Sequence, residues 1–153
     1  MALFHRYGEE ILREVSFRVE TKPIAKGRPR YVFFGGNRHA YTPKKTADYE
    51  ALIADQYMKM ADYYKYGLDV PLIVSLSFGL PIPKSTPKSR REAMNDGLIR
   101  HMKKPDVDNL VKAVLDALNG VAWEDDSQIV RVCAEKFYSK DPYIYIRIRE
   151  SVD

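Results

Sequence analysis

The pattern that most limits how this chain can fold lies in its last third, where the hydrophobic period changes from that of a helix to that of strands. Leu110, Val111, Val114, Leu115 and Leu118 form an apolar stripe at helical spacing, closed by Asn119 and Gly120, a pair suited to a helix C-terminus. QIVRVCAEKFY and YIYIRIRE then alternate as strands, parted by a turn at SKDP. In the second strand Ile144, Ile146 and Ile148 share one face, and Tyr143, Tyr145, Arg147 and Arg149 share the other. Such elements bury their apolar sides by packing helix on sheet.

The earlier chain supplies compatible pieces. SFRVE at 16–20 alternates as a strand, and TKPIAKGRPR interrupts it with two prolines and a glycine. YVFF and RHAYT flank a GGN turn at 35–37, which predicts a hairpin projecting from the body and carrying its basic residues with it. Thr42 followed by Pro43 predicts a helix start, the hydroxyl capping and the proline in the first helical position. Tyr49, Leu52, Ile53, Gln56, Tyr57 and Met60 continue that helix, expected over residues 43–63. PLIVSLSFG reads as a central strand with Leu72, Val74, Leu76 and Phe78 inward; the following Pro- and Ser-rich stretch reads as a loop with a short helix near 88–95. The expectation is one α/β (α+β) domain over all 153 residues: a mixed, mostly antiparallel sheet with helices packed on it. The first fifteen residues form an extension to which the sequence assigns no role.

A net charge of +4 conceals a segregation. Residues 22–45 hold seven basic side chains and no acidic one; residues 84–104 hold seven more against Glu92 and Asp96, which leaves eleven basic and nineteen acidic residues elsewhere. Two basic segments are attached to an acidic body. No stretch approaches the roughly eighteen apolar residues of a membrane span, and the N-terminus lacks a signal-peptide pattern, so a cytoplasmic protein with no membrane partner is expected. Cys133 is the only cysteine, expected as a buried thiol in an apolar strand and not as a catalytic group. His5, His39 and His101 lack ligand spacing.

KKPDVDNLVK places Asp106 and Asp108 on the approach to the apolar helix. Inside a helix, residues i and i+2 lie about 200° apart, so the two carboxylates converge only if one of them stands outside it. Pro105 biases the chain toward an extended entry that allows this. One reading has either aspartate capping the helix, with Asp108 paired to Lys112 at i+4. The other takes account of WEDDSQIV, where Asp125 and Asp126 arrive as the chain leaves the same helix for the next strand. A return strand brings them back toward the first pair, and clustered carboxylates repel unless a cation joins them. Oxygen-only ligands suit Mg²⁺, or Mn²⁺ in its place. A hard ion between basic segments describes a phosphodiester-cleaving site, the ion activating water and the basic side chains holding the DNA or RNA backbone.

The run KPDVDNLVKAVLDALNGVAWEDDSQIV closely resembles the RusA family of Holliday junction resolvases, common in phages and prophages. KPIAKGRPR followed by YTPKKTADYE is similar to the basic amino-terminal portion of the bacillus-type branch of that family. The resemblance spans about residues 16–150. It implies metal-binding and catalytic roles for Asp106, Asp108 and Asp126, with Asp125 beside the last as a further metal ligand, and a functional role for Lys112. It also implies a homodimeric, Mg²⁺-dependent endodeoxyribonuclease that nicks two opposed strands of a four-way junction in recombination and repair, in a bacterial cytoplasm and encoded by a phage or prophage. A twofold dimer suits a substrate with two symmetry-related phosphates.

Lys112 is either a helix-surface partner of Asp108 and Asp116 or a group at the scissile phosphate. Lys26, Arg28, Arg30, Arg38, Arg90, Arg91, Lys103 and Lys104 are candidate DNA contacts, against the alternative of solvated charge. Tyr31, Phe33 and Phe34 can stack on bases or form hairpin core. Competing functions are a nuclease for forks or flaps and a non-cleaving DNA-binding protein of the same fold.

Overall fold

Residues 2–7, 10–28 and 30–152 are described by the computed structural model of the chain, with side chains from Leu12 onward. Strands β1 (Ala2–Tyr7), β2 (Glu10–Val19), β5 (Leu72–Pro81), β6 (Ile129–Ser139) and β7 (Tyr143–Glu150) build a five-stranded sheet in the order β1-β2-β7-β5-β6. A separate ribbon pairs β3 (Arg30–Phe34) with β4 (Asn37–Tyr41). The helices are α1 (Lys44–Met60), α2 (Lys88–Asn95) and α3 (Val107–Leu118). The chain is thus a mixed α+β domain. Its sheet is antiparallel at β1–β2, β2–β7 and β7–β5 and parallel only at β5–β6, where the crossover carries α2 and α3.

β5 lies between β6 and β7, so the short connection at residues 140–142 must pass over the end of a strand. At Gly79 the side chains on either side of this connection come close: a Cβ there would stand 3.0 Å from the Ser139 Cβ and from the Tyr143 ring. Local alternation predicts the three strands, but not the insertion of β5 between two sequence neighbours. The extension left without a role also becomes sheet. β1 pairs with β2 from Ala2 opposite Val15 to Tyr7 opposite Glu10.

One sheet face forms the core. Val15, Phe17 and Val19 of β2, the inward residues of β5, and Ile144, Ile146 and Ile148 of β7 pack with α1 and α3. Each fully buried Val, Leu, Ile or Phe contributes about 1.5–3 kcal/mol. From α3, Leu110, Ala113, Val114, Ala117 and Leu118 are buried, so the helical stripe is the face that seats it. From α1, Tyr49, Ile53 and Tyr57 are buried, while Leu52 and Met60, at the margins of the stripe, are 38% and 43% exposed. The opposite sheet face is polar, with Arg147 paired to Glu14 at 2.7 Å and Ser77 donating to Glu135.

Three expectations are corrected. Pro43, not Thr42, occupies the N-cap of α1: the Pro43 carbonyl accepts from Thr46 and Ala47 N–H, and no side chain caps the helix. The helix stops at Met60 because Asp62 and Tyr63 take left-handed backbone conformations, φ 52° and 58°. Cys133 is exposed because its register partner is Ser75, which puts it on the helix-free sheet face with Ser77 and Glu135, on the edge strand β6.

The ribbon projects as expected, on a turn in which Gly35 and Gly36 both have positive φ, 59° and 78°. All ten of its strand positions are exposed. Tyr31, Phe33 and Phe34 therefore form no hairpin core.

Candidate active site

The approach to α3 is fixed from below. Lys136 on β6 donates to the carbonyls of Lys103 and Pro105 at 2.7 and 2.8 Å, holding the segment that contains the cis Lys104–Pro105 peptide. Asp106 is the N-cap, extended at φ −74° and ψ 144°, and Asp108 lies in the first turn. The helix dipole favours negative charge at both positions. Two specific contacts that the sequence allowed are not made. The Asp106 side chain makes no capping hydrogen bond, and Lys112 pairs with Asp116 at 3.3 Å and not with Asp108. Both aspartates are exposed.

Beyond α3, the second acidic pair divides. Asp125 caps a 3-10 turn, Asp126–Gln128, in a capping box: its Oδ1 accepts from Ser127 N–H at 2.8 Å, while Gln128 Oε1 accepts from Asp125 N–H. Hydrogen bonds from the Ser127 side chain, then from its backbone, hold the Asp125 carboxyl below its ordinary pKa. Asp126 is instead oriented by the core, since Trp123 Nε1 donates to its Oδ1 at 2.8 Å. Gln128 also donates to the carbonyls of Gly67 and Val70, tying the turn to the loop before β5.

α3, the 3-10 turn and β6 together enclose an open groove of ≈ 470 Å³. Asp108, Lys112, Asp116 and Asp126 line it above a floor that includes Val111, Leu115 and Val132. Asp108 and Asp126, eighteen positions apart in the chain, therefore face one space, with Asp106 at the same helix end. Among the described residues no three His, Cys, Asp or Glu side chains already form a metal cage. Two carboxylates in a groove still fit Mg²⁺, which is commonly bound by one or two carboxylates together with water and substrate phosphate.

The first basic segment meets this site at its root. Lys26 N–H donates to the Asn109 carbonyl at 3.0 Å, and a Cβ on Gly27 would come within 2.9 Å of Thr46 Oγ1, so the loop lies against the starts of both α3 and α1. The Lys26 ammonium sits between Glu50 and Asp116, 2.8 Å from the latter. Burial lowers its pKa, but the hydrogen bonds and charges of Asp116 and Glu50 outweigh that and raise it above the ordinary lysine value. Lys26 thereby joins the loop to both helices. Arg28 is exposed beside it, and Arg30 and Arg38 are carried by the ribbon.

The second basic segment divides similarly. The Arg91 guanidinium donates to the carbonyls of Lys84 and Thr86, shaping the loop before α2. Arg90 and Lys103 line a separate open groove with Arg100, and Lys104 is exposed at the entry to α3. Sequence reasoning missed Trp123, Gln128 and Lys136. The Asp-x-x-Gln spacing of a capping box signals Gln128. The lone tryptophan just before the acidic pair hints at Trp123, but nothing local indicates Lys136, which acts across the fold.

Carboxylates and a lysine in one groove beside exposed basic residues are the composition of a phosphodiester-processing site. The family model for endodeoxyribonuclease RusA matches residues 20–149. The chain is also 38% identical over 141 residues to the uncharacterized protein YqaN of Bacillus subtilis (strain 168), covering 89% of this chain and 96% of that protein. The chain belongs to the RusA family of endodeoxyribonucleases, which act on Holliday junctions. No helix among the described residues is long and apolar enough to cross a membrane.

Proposed function

We propose that the chain is a Mg²⁺-dependent Holliday junction resolvase of recombination and repair that hydrolyses phosphodiesters at the α3 groove. The observation that carries this reading is the shared groove of Asp108 and Asp126, with Asp106 at the same helix end and its side chain making no capping hydrogen bond. Asp106, Asp108 and Asp126 are the proposed ligands, with Asp125 adjoining. Bound there, Mg²⁺, or Mn²⁺ in its place, would polarise the phosphate and lower the pKa of attacking water. Trp123 holds the Asp126 carboxylate in one orientation, so that little reorganisation is needed when substrate arrives.

Lys112, 63% exposed on the groove wall, is the proposed contact to the scissile phosphate, where its charge offsets the negative charge that develops there. Asp116, shared with Lys26, restrains it in the free protein. Arg28, Arg30, Arg38, Arg90, Lys103 and Lys104 are proposed to hold the DNA backbone; Lys26 and Arg91 act by shaping the segments that carry them. A C₂ homodimer would present one groove to each of two symmetry-related phosphates and make paired nicks. A phage or prophage origin and a cytoplasmic location belong to the same reading.

The test incubates purified protein with labelled four-way junction, fork, flap, linear duplex and single strand, in Mg²⁺ and in EDTA. Paired symmetric nicks in the four-way junction, present only with Mg²⁺, are expected. Cutting confined to forks or flaps would replace the junction reading with a different branch specificity, and binding without metal-dependent cutting of any substrate would leave a DNA-binding protein. Sedimentation at the assay concentration is expected to give the mass of two chains.

A further inference from the structure

We infer that the β3–β4 ribbon is a branch-sensing arm, which prefers junctions over linear DNA by stacking Phe33 and Phe34 on base pairs left uncovered at the crossing point. The inference rests on the nuclease reading only for the identity of the nucleic acid.

Phe33 and Phe34 are 79% and 80% exposed, among the most exposed large apolar side chains described. They lie at the tip, beside a turn made tight by two glycines whose missing Cβ atoms would meet nothing within 4 Å. The glycines therefore serve the turn's geometry and not packing. Strand register places Tyr31, Phe33 and Arg38 on one face and Arg30, Phe34 and His39 on the other. Both faces thus carry aromatic and basic side chains. A ribbon that docks on a flat protein surface needs one apolar face and one wet face, whereas this one suits a partner that surrounds it.

Charge narrows the partner further. No acidic residue occurs between Glu20 and Asp48, so the arm and its root are uniformly basic or neutral. The Arg38 guanidinium already stacks over the Tyr31 ring at 3.6 Å, a flat cationic surface of the kind on which bases stack. A two-stranded ribbon also fits the width of a DNA groove. The root of the arm is fastened to the site, because Lys26 N–H bonds to Asn109 of α3, four positions before the ribbon starts. A linear duplex covers its base pairs by stacking. A branch point interrupts that stacking, so aromatic rings on opposite faces of a narrow tip gain partners there that linear DNA does not offer.

The test measures binding by fluorescence anisotropy in EDTA, so that no cutting intervenes. The probes are a four-way junction with 2-aminopurine at the crossing point and a linear duplex of the same sequence. Phe33→Ala/Phe34→Ala is expected to reduce the preference for junction over duplex by about ten- to a hundredfold, the range of one to two lost base stacks. It should also abolish the 2-aminopurine response while leaving Tm unchanged. Unaltered junction preference overturns the inference, and so does a lower Tm or a changed sedimentation mass accompanied by that unaltered preference, which would assign the rings to packing or to a second copy of the chain. A wild-type protein that grips the junction through these rings but cuts nothing in Mg²⁺ sinks the nuclease reading and keeps the arm. Junction cutting and junction preference that both survive loss of the rings sink the arm and keep the nuclease.

Discussion

Trp123 Nε1 donates to Asp126 Oδ1 at 2.8 Å, and since the Trp123 ring is fully buried, a surface carboxylate is aimed from inside the core. Groups that orient metal-binding carboxylates typically change affinity or activity by about 10–100-fold when removed. Trp123→Phe keeps most of the apolar volume and deletes the donor. It should reduce Mg²⁺-dependent cleavage by about that factor and lower stability by about 1–3 kcal/mol. Asp126→Asn should remove cleavage more completely while leaving the urea midpoint near wild type. If Asp126→Asn instead unfolds the protein and Trp123→Phe cuts normally, the carboxylate is structural.

Lys26 joins α1 to α3 through Glu50 and Asp116. Lys26→Met takes this partner from Glu50 and leaves Asp116 with Lys112, and a loss of about 1–3 kcal/mol is expected, reduced from the fully buried case by solvent at the site. Because the folded pKa is raised, the contribution is fully present below the unfolded lysine value of about 10.4 and is lost as pH rises through the higher folded value. The difference in urea midpoint between wild type and Lys26→Met should therefore be flat from neutral pH to about 10 and shrink above it. A difference that grows with alkalinity would show that the ammonium is not stabilised by its partners.

The same lysine shows where sequence reasoning reaches and where it stops. α3, β5 and β7 follow from apolar spacing alone, because each buries one regular face of itself. The convergence of Asp108 and Asp126 follows from a helix between them and a strand returning after it. Lys26, by contrast, has the composition of a free phosphate contact, and its two carboxylate partners lie 24 and 90 positions away. Cys133 fails for a related reason: alternation does not say which face of a strand the helices cover, and only the pairing of β6 with β5 puts Cys133 opposite Ser75 on the polar face. Spacing finds faces; it does not find which charge meets which across the core.

His101 is nearly buried, its ring centroid 4.6 Å from that of Tyr138. Burial first, then the charges of Lys136 and Lys103, lowers its pKa despite an opposing backbone hydrogen bond. An NMR titration should place its midpoint below the ordinary value of about 6.5. The unfolded chain then takes up a proton before the folded one does, so this residue's share of stability is present above about pH 6.5 and lost as pH falls through the folded pKa. The fall in urea midpoint between pH 7.5 and 5 should be smaller in His101→Phe than in wild type. An equal fall in both would assign the acid sensitivity to other groups.

Gln128 is buried, and its single amide serves four backbone groups: Oε1 accepts from Glu124 and Asp125 N–H, and Nε2 donates to the Gly67 and Val70 carbonyls. Gln128→Leu keeps the volume and strands those groups, each at about 1–3 kcal/mol where water cannot reach it. Water at the exposed end of the turn compensates Glu124 and Asp125 in part, so a total loss of about 2–4 kcal/mol is expected, measured by urea unfolding. The turn that presents Asp126 loses its tether to the loop before β5. At a temperature where the variant is still fully folded, cleavage should fall by about 10–100-fold while junction binding in EDTA, which depends on basic residues elsewhere, holds. Cleavage and binding that decline in parallel would mean that Gln128 supports the fold alone and leaves the placement of Asp126 unaffected.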